Sequence, residues 1–370
     1  MTKHKILVVS ATFYPLNSPR ANRTTELVKE LARQGHDVTV LTPKENQYHL
    51  QFEEKHRVTI KHLGNRKWQG FSIRSKGLMR FFDRARIRFF MQLFEYPDIE
   101  LMGMVKKSLK SEQGYDLLIS IAVPYPVHWG VAAARCADNP IASIWIADCG
   151  DPYMGDRADS FKKLFYFKYV EKWFCRKSDY ITVPTIGSLK AYYPEFKSKI
   201  KVIPQGFNFE ETKIFEGAIN NPIPSFGYAG GFIPGTRDPR PLLDFLCKYE
   251  HPFKFIIYTN NTGMILPYVA ASNNRIELRT YVPREQLLFE LSKLDFLLNI
   301  NNGTTVQTPS KLIDYALTRR PVLSIDKGPL DTKIIEKFLQ GDYSDQFQIG
   351  DIEQYNIKNV AQKFIVLSEK

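Results

Sequence analysis

Apolar and polar positions along the chain alternate between two periods. Short, nearly continuous apolar runs rich in β-branched residues occur at 5–10 (KILVVS), 37–42 (DVTVLT), 56–63, 115–122, 141–148 (IASIWIAD), 180–185 and 200–204. Most gaps between them carry a helical period, most clearly 20–34, 74–95, 125–137 and 158–177. Strands apolar on both faces and separated by helices predict a parallel sheet covered on both sides. The same alternation returns with strands at 225–230, 253–259, 275–281, 295–301 and 321–326 and helices near 239–249, 284–293, 309–319 and 330–339. Between the halves, 204–224 holds Pro204, Gly206, Pro222 and Pro224 with little periodicity, a linker signature. The pattern thus predicts two doubly wound α/β domains, whose strand C-terminal edges, and any ligand, would face a central cleft.

Length agrees, since 370 residues exceed what one hydrophobic core usually serves. The four cysteines are scattered without metal-ligand spacing, which fits reduced thiols in a cytoplasmic protein. No apolar run approaches the roughly 18 residues needed to span a bilayer. A net charge of +12 favours anionic partners. Nucleic acid is not expected among them, because no helix-turn-helix, zinc finger or RNA-binding motif occurs.

Candidate chemistry gathers at strand ends. The loop after the first strand lacks GxGxxG, which argues against a dehydrogenase. Asn22 and Arg23, at the helix that follows, either hold an anionic group or solvate the helix start. The strand ending WIAD places Asp148 and Asp151 three residues apart at the expected cleft. One of them serves there as a general base, or one of them caps a turn. YAGGFIPGTRD supplies a glycine-rich turn (Gly230, Gly231, Gly235) with Arg237 beside it. TPSKLID puts Ser310 and Lys311 in the first turn of a helix, where a cation opposes the helix dipole unless an anion lies between them.

Several patches resemble family-four glycosyltransferases of the GT-B fold. ELVKELARQGHDVTVLT (26–42) is similar to their opening helix and second strand. PYPVHWG (124–130) and WIADCGDPY (145–153) resemble a "PPxxxH … ADFRDPW" pattern of members that make bacterial surface polysaccharide. His128, Asp148 and Asp151 fall on its marked positions, and Gly150 stands where that pattern has arginine. KVIPQGFNFEE (201–211) is similar to the segment closing the first domain, YAGGFIPGTRDPRPLL (228–243) to the glycine-rich turn opening the second, and TPSKLIDYALTRRPVLSI (308–325) to the family's donor-binding helix.

The resemblance implies an acceptor domain over 1–204, a donor domain over 205–350, and a tail, 351–370, returning to the first domain. It implies catalysis by Asp151, Asp148 and His128. It implies donor binding by Lys311, Ser310, Asp314 (at the ribose), Arg237, Gly230, Gly231, Thr305 and Tyr281. The implied reaction is transfer from a nucleotide-diphosphate sugar to a glycan or lipid-linked acceptor, with retention and without a metal or other cofactor. Val306 replaces the glutamate that touches the donor sugar in relatives, so the sugar contacts fall to Asn301, Asn302, Thr304 and Thr305. A sugar 2-epimerase on the same fold, or a non-catalytic partner subunit, are the alternatives.

One segment stands outside this scheme. On a helical projection of 72–95, Leu78, Phe81, Phe82, Ala85, Phe89 and Leu93 share a face, and Arg80, Arg84 and Arg88 line another. Such a helix either packs on the sheet or lies on an anionic membrane surface, giving a peripheral protein of the inner membrane face.

Overall fold

The computed structural model describes residues 2–68, 78–155, 162–301 and 310–369. Contacts divide the chain into two compact units, Met1–Phe207 with Gln354–Lys370, and Asn208–Glu353.

The first unit carries strands β1 (Lys5–Ser10), β2 (Asp37–Thr42), β3 (Thr59–His62), β4 (Tyr115–Ile121), β5 (Ala142–Asp148), β6 (Tyr180–Val183) and β7 (Ile200–Val202). They form one sheet in the order β3-β2-β1-β4-β5-β6-β7, with every pairing parallel. The helices are α1 (Pro19–Arg33), α2 (Asn46–His56), α3 (Leu78–Phe94), α4 (Glu100–Ser108), α5 (Pro126–Ala134) and α6 (Phe167–Lys177). Side chains alternate across β1: Leu7 and Val9 enter one buried cluster, with Trp129 and Trp145, while Ile6 and Val8 enter the other. A parallel sheet needs this cover on both faces.

α1 begins as its residues require. Ser18, extended at φ −142°, accepts a hydrogen bond from Ala21 N–H, and Pro19 sits in the first turn. Leu27, Val28 and Leu31 then face the second cluster. Of the helical period at 158–177, residues 158–161 lie outside the described residues, 162–166 are not helical, and the helix runs over Phe167–Lys177. Before it, Lys163 pairs with Glu95, and the Tyr166 hydroxyl donates to Leu93 O, contacts that hold the segment off the helix axis.

The second unit has strands β8 (Ser225–Ala229), β9 (Lys254–Tyr258), β10 (Ile276–Arg279), β11 (Phe296–Ile300) and β12 (Val322–Ile325). Their order is β10-β9-β8-β11-β12, again all parallel. Helices α7 (Arg240–Lys248), α8 (Leu266–Ala271), α9 (Arg284–Leu291), α10 (Ser310–Leu317) and α11 (Thr332–Leu339) complete it. Phe226 stacks between Phe255 and Phe296 at ring distances of 4.3 and 4.6 Å, anchoring three adjacent strands. The chain ends in α12 (Ile357–Ser368), whose Val360, Phe364 and Ile365 join the α1 cluster of the first unit.

Strand order reverses between β1 and β4 in one sheet and between β8 and β11 in the other. In open α/β sheets, ligands bind at such switch points beyond the strand C-termini.

Candidate active site

In the second unit, the switch point opens into a cavity of about 470 Å³ lined by Gly230, Gly231, Tyr258, Asn260, Tyr281, Lys311 and Asp314, among others. Five of the residues assigned to the donor from sequence therefore meet around one space. Gly230 has φ +140°, a conformation that residues with a Cβ rarely adopt, so the glycine is needed for the turn itself. A Cβ at Gly231 would meet nothing within 4 Å, leaving that backbone open to the cavity.

Lys311 is the unusual group. Its ammonium is buried, has no hydrogen-bond partner among the described residues, and lies 4.6 Å over the Tyr228 ring. Burial first, and the Arg237 charge second, pull its pKa down to about 7. Arg237 Nε is likewise buried without a partner among the described residues. A buried ammonium without an acceptor, repelled by a second cation, is costly unless an anion is bound. Tyr315 fixes the geometry: fully buried on α10, its hydroxyl accepts from Ala229 N–H at 2.9 Å and ties the Lys311 helix to the glycine turn. Asp314 accepts from Arg284 at 2.9 and 2.6 Å, both bonds landing on Oδ1. Its burial raises its pKa, against the pull of Arg284. Tyr281 is 63% exposed at the rim. Thr305 lies outside the described residues, as do Asn302, Thr304 and Val306; of Ser310 only the backbone is described, as the first residue of α10.

In the first unit the expected catalytic set separates. His128 has no exposed surface; Nδ1 lies 2.8 Å from Ser120 Oγ, Nε2 3.5 Å from Cys149 Sγ, and burial lowers its pKa to about 3. It is a neutral core histidine and not a base reaching substrate. Asp148 is also removed from that role. Its carboxylate takes Arg23 Nε at 3.0 Å, Arg23 Nη2 at 2.7 Å and Thr182 Oγ1 at 2.7 Å, and it is 1% exposed. Burial pushes the carboxyl up, but the charge and hydrogen bonds of Arg23, with the Arg20 charge and the Thr182 hydroxyl, together hold it below its ordinary range. Arg23 is equally enclosed, donating also to Ile203 O and Pro204 O, so it closes a buried ion pair and does not hold an acceptor. Asp148 pointed inward because β5 is a central strand, a context its spacing from Asp151 does not reveal. Asp151 and Asn22 are exposed. The Asp151 loop is pinned from below by the Tyr125 hydroxyl, which donates to Asp151 O.

Sequence reasoning missed Tyr228, Tyr315 and Arg284 around the cavity, and Arg20 in the first unit. Arg20 carried the signal used for Lys311, a cation in the first turn of a helix. Tyr315 carried none beyond an aromatic on an apolar face.

The Glycosyltransferase Family 4 profile matches residues 21–211, more than half of the chain. The chain belongs to glycosyltransferase family 4. Solved structures agree on the fold, at identities too low to carry more than fold. A glycosyltransferase from Rickettsia africae aligns over 100% of this chain and 98% of its own, with 11% identity and a TM-score of 0.60. HepE from Anabaena, solved with UDP, aligns over 99% and 100% with 10% identity and a TM-score of 0.58. TarM aligns over 100% and 99% with 10% identity and a TM-score of 0.64. No curated protein matches the sequence. The fold is GT-B, and the protein is a glycosyltransferase. Among the described residues, no helix is long and apolar enough to cross a membrane.

Proposed function

We propose that this glycosyltransferase moves a sugar from a nucleotide-diphosphate donor held in the second unit to a glycan or lipid-linked acceptor received by the first, in surface-polysaccharide assembly. The observation that carries the reading is the buried Lys311 ammonium, without a hydrogen-bond partner among the described residues, with the Arg237 charge near it and the Gly230 turn lining the same cavity. A diphosphate supplies the charge and the acceptor oxygens that the ammonium lacks. As the glycosidic bond to the donor breaks, negative charge grows on that diphosphate, and the same cations stabilise it more than they did the ground state. No divalent ion is needed for this neutralisation. Asp314 meets the ribose, and the exposed Tyr281 covers the base. HepE and a Staphylococcus aureus TarM variant, both solved with UDP, support a uridine donor by likeness of fold. Asp151 is left as the carboxylate that meets the acceptor hydroxyl, and retention of anomeric configuration is the expected outcome.

The test is nucleotide release from UDP-, GDP- and ADP-sugars with and without a glycan acceptor. Release that requires the acceptor supports transfer. Release without acceptor, with configuration inverted at sugar carbon 2, supports the epimerase alternative. No release in either case contradicts both.

Attachment to an anionic membrane face belongs to the same reading. No described side chain of α3 is buried. Met79, Phe81, Phe82, Phe89 and Phe94 are each more than half exposed, and Arg80, Arg84 and Arg86 are exposed too. Packing on the sheet, the other expectation for this helix, would have buried one face. Apolar exposure on this scale beside arginines suits an acidic lipid interface.

A further inference from the structure

The pattern this chain resembles has arginine at position 150, where the chain has glycine. The space that a side chain at 150 would occupy is already filled. A Cβ built on Gly150 would lie 2.2 Å from Arg20 Cζ and 2.5 Å from each Nη. Those are closer than any real contact, so a side chain at 150 would displace the guanidinium arriving from α1 from this place. The guanidinium sits at the β1/β4 switch point, with Nη1 3.5 Å from Ala122 O, just beyond the end of β4.

Arg20 is only a secondary partner of Asp148, adding its charge to that of Arg23. That carboxylate already has a two-bond partner in Arg23 and a third bond from Thr182, whereas Arg20 reaches it only at 4.0 Å. With Asp148 matched by Arg23, the charge of Arg20 is surplus, and its side chain keeps 20% of its surface exposed. Its position is also unfavourable for the helix, since it lies in the first turn of α1, which contains no acidic residue to offset it. A misplaced, half-satisfied fork at a switch point is a group awaiting a planar or tetrahedral set of anionic oxygens.

We propose that Arg20 presents in this protein the guanidinium that the related pattern carries at position 150, and that it binds an anionic group of the acceptor. Gly150 is glycine so that this fork can lie over its backbone. The ligand chemistry is a phosphate or carboxylate oxygen cluster, from either a lipid phosphate or an acidic sugar. Arg20 then determines acceptor specificity through binding, and Asp151, one residue beyond Gly150, stands close in the chain to that anion.

The test uses the full chain with UDP present at saturation, so that the second unit is occupied, and two probes: undecyl phosphate below its micelle concentration and methyl glucuronide. Wild type should bind one of them, which names the source of the anion. Arg20→Ala should weaken that binding about ten- to a hundredfold, the range for a lost charged hydrogen-bonding pair. Arg20→Lys should keep part of it, because the charge remains and the fork does not. Gly150→Arg alone should lower the thermal midpoint by displacing the Arg20 guanidinium and setting two like charges side by side. Arg20→Ala/Gly150→Arg should restore both the midpoint and the binding. The proposal is overturned if wild type binds neither probe, if Arg20→Ala binds as wild type does, or if the double variant regains its midpoint without its binding. UDP affinity measured in the same samples reports the donor site separately, so failure of the one is not mistaken for failure of the other.

Discussion

At the residue scale, the account rests on charges kept from water. Lys311 has a pKa of about 7 in the folded protein because burial and Arg237 both oppose its charge. The unfolded chain keeps that proton up to the ordinary lysine range. Above about pH 7 the unfolded state therefore binds more protons, and the Lys311 contribution to stability rises with pH toward the unfolded value. A bound diphosphate needs the ammonium, which reverses the trend for affinity. UDP binding should weaken about tenfold between pH 7.5 and 8.5, the limit for one proton taken up. In Lys311→Arg the same interval should be flat, as isothermal titration at several pH values will show. Asp148 and Asp151 should part company when substituted. Asp148→Ala leaves Arg23 charged and buried, costing about 3–5 kcal/mol in a denaturant titration. Asp151→Asn should leave stability unchanged and slow transfer about a hundredfold or more. The sequence placed these two carboxylates together because their spacing was visible. It could not show that β5 is flanked on both sides, which turns Asp148 toward Arg23 and leaves only Asp151 in solvent.

At the element scale, α1, α3 and α10 carry the distinctive arguments. The start of α1 was readable as Ser-Pro ahead of an apolar period, and Ser18→Ala should cost about 1 kcal/mol through the lost cap. The start of α10 was readable in the same way, but the tie that aims it was not. A tyrosine such as Tyr315 on an apolar face reads as packing, and only the fold shows its hydroxyl meeting the N–H of Ala229. For α3, the apolar period of 72–95 was equally consistent with burial and with lipid. The exposure of Phe81, Phe82 and Phe89 speaks against packing on the sheet and is the ground on which we propose lipid. Wild type should co-sediment with acidic liposomes at low salt and be released as salt screens the arginines. Phe81→Ser/Phe82→Ser should remain in the supernatant while folding normally. Equal sedimentation of wild type and variant would remove the membrane from the reading.

At the scale of the whole molecule, each unit is a doubly wound sheet with one switch point, and the alternation of periods along the chain was enough to anticipate both. Short helices such as α2 and α8 were not anticipated, because α2 buries only His49 and Phe52 and α8 buries no residue, which leaves little period to detect. The tail joins the first unit through Ile357, Val360 and Phe364, packed against the helix that carries Arg20 and Arg23. The Arg23 guanidinium lies 5.5 Å over the Phe364 ring, so the tail also closes the buried ion pair. The central claim is that the cavity at the β8/β11 switch point is built for a nucleotide diphosphate. Calorimetric titration of UDP, GDP and ADP into wild type and Lys311→Ala tests it most directly. One nucleotide should bind in the micromolar range and lose at least tenfold in affinity in the variant. Failure of all three to bind wild type, or equal binding by Lys311→Ala, would contradict the donor site described above.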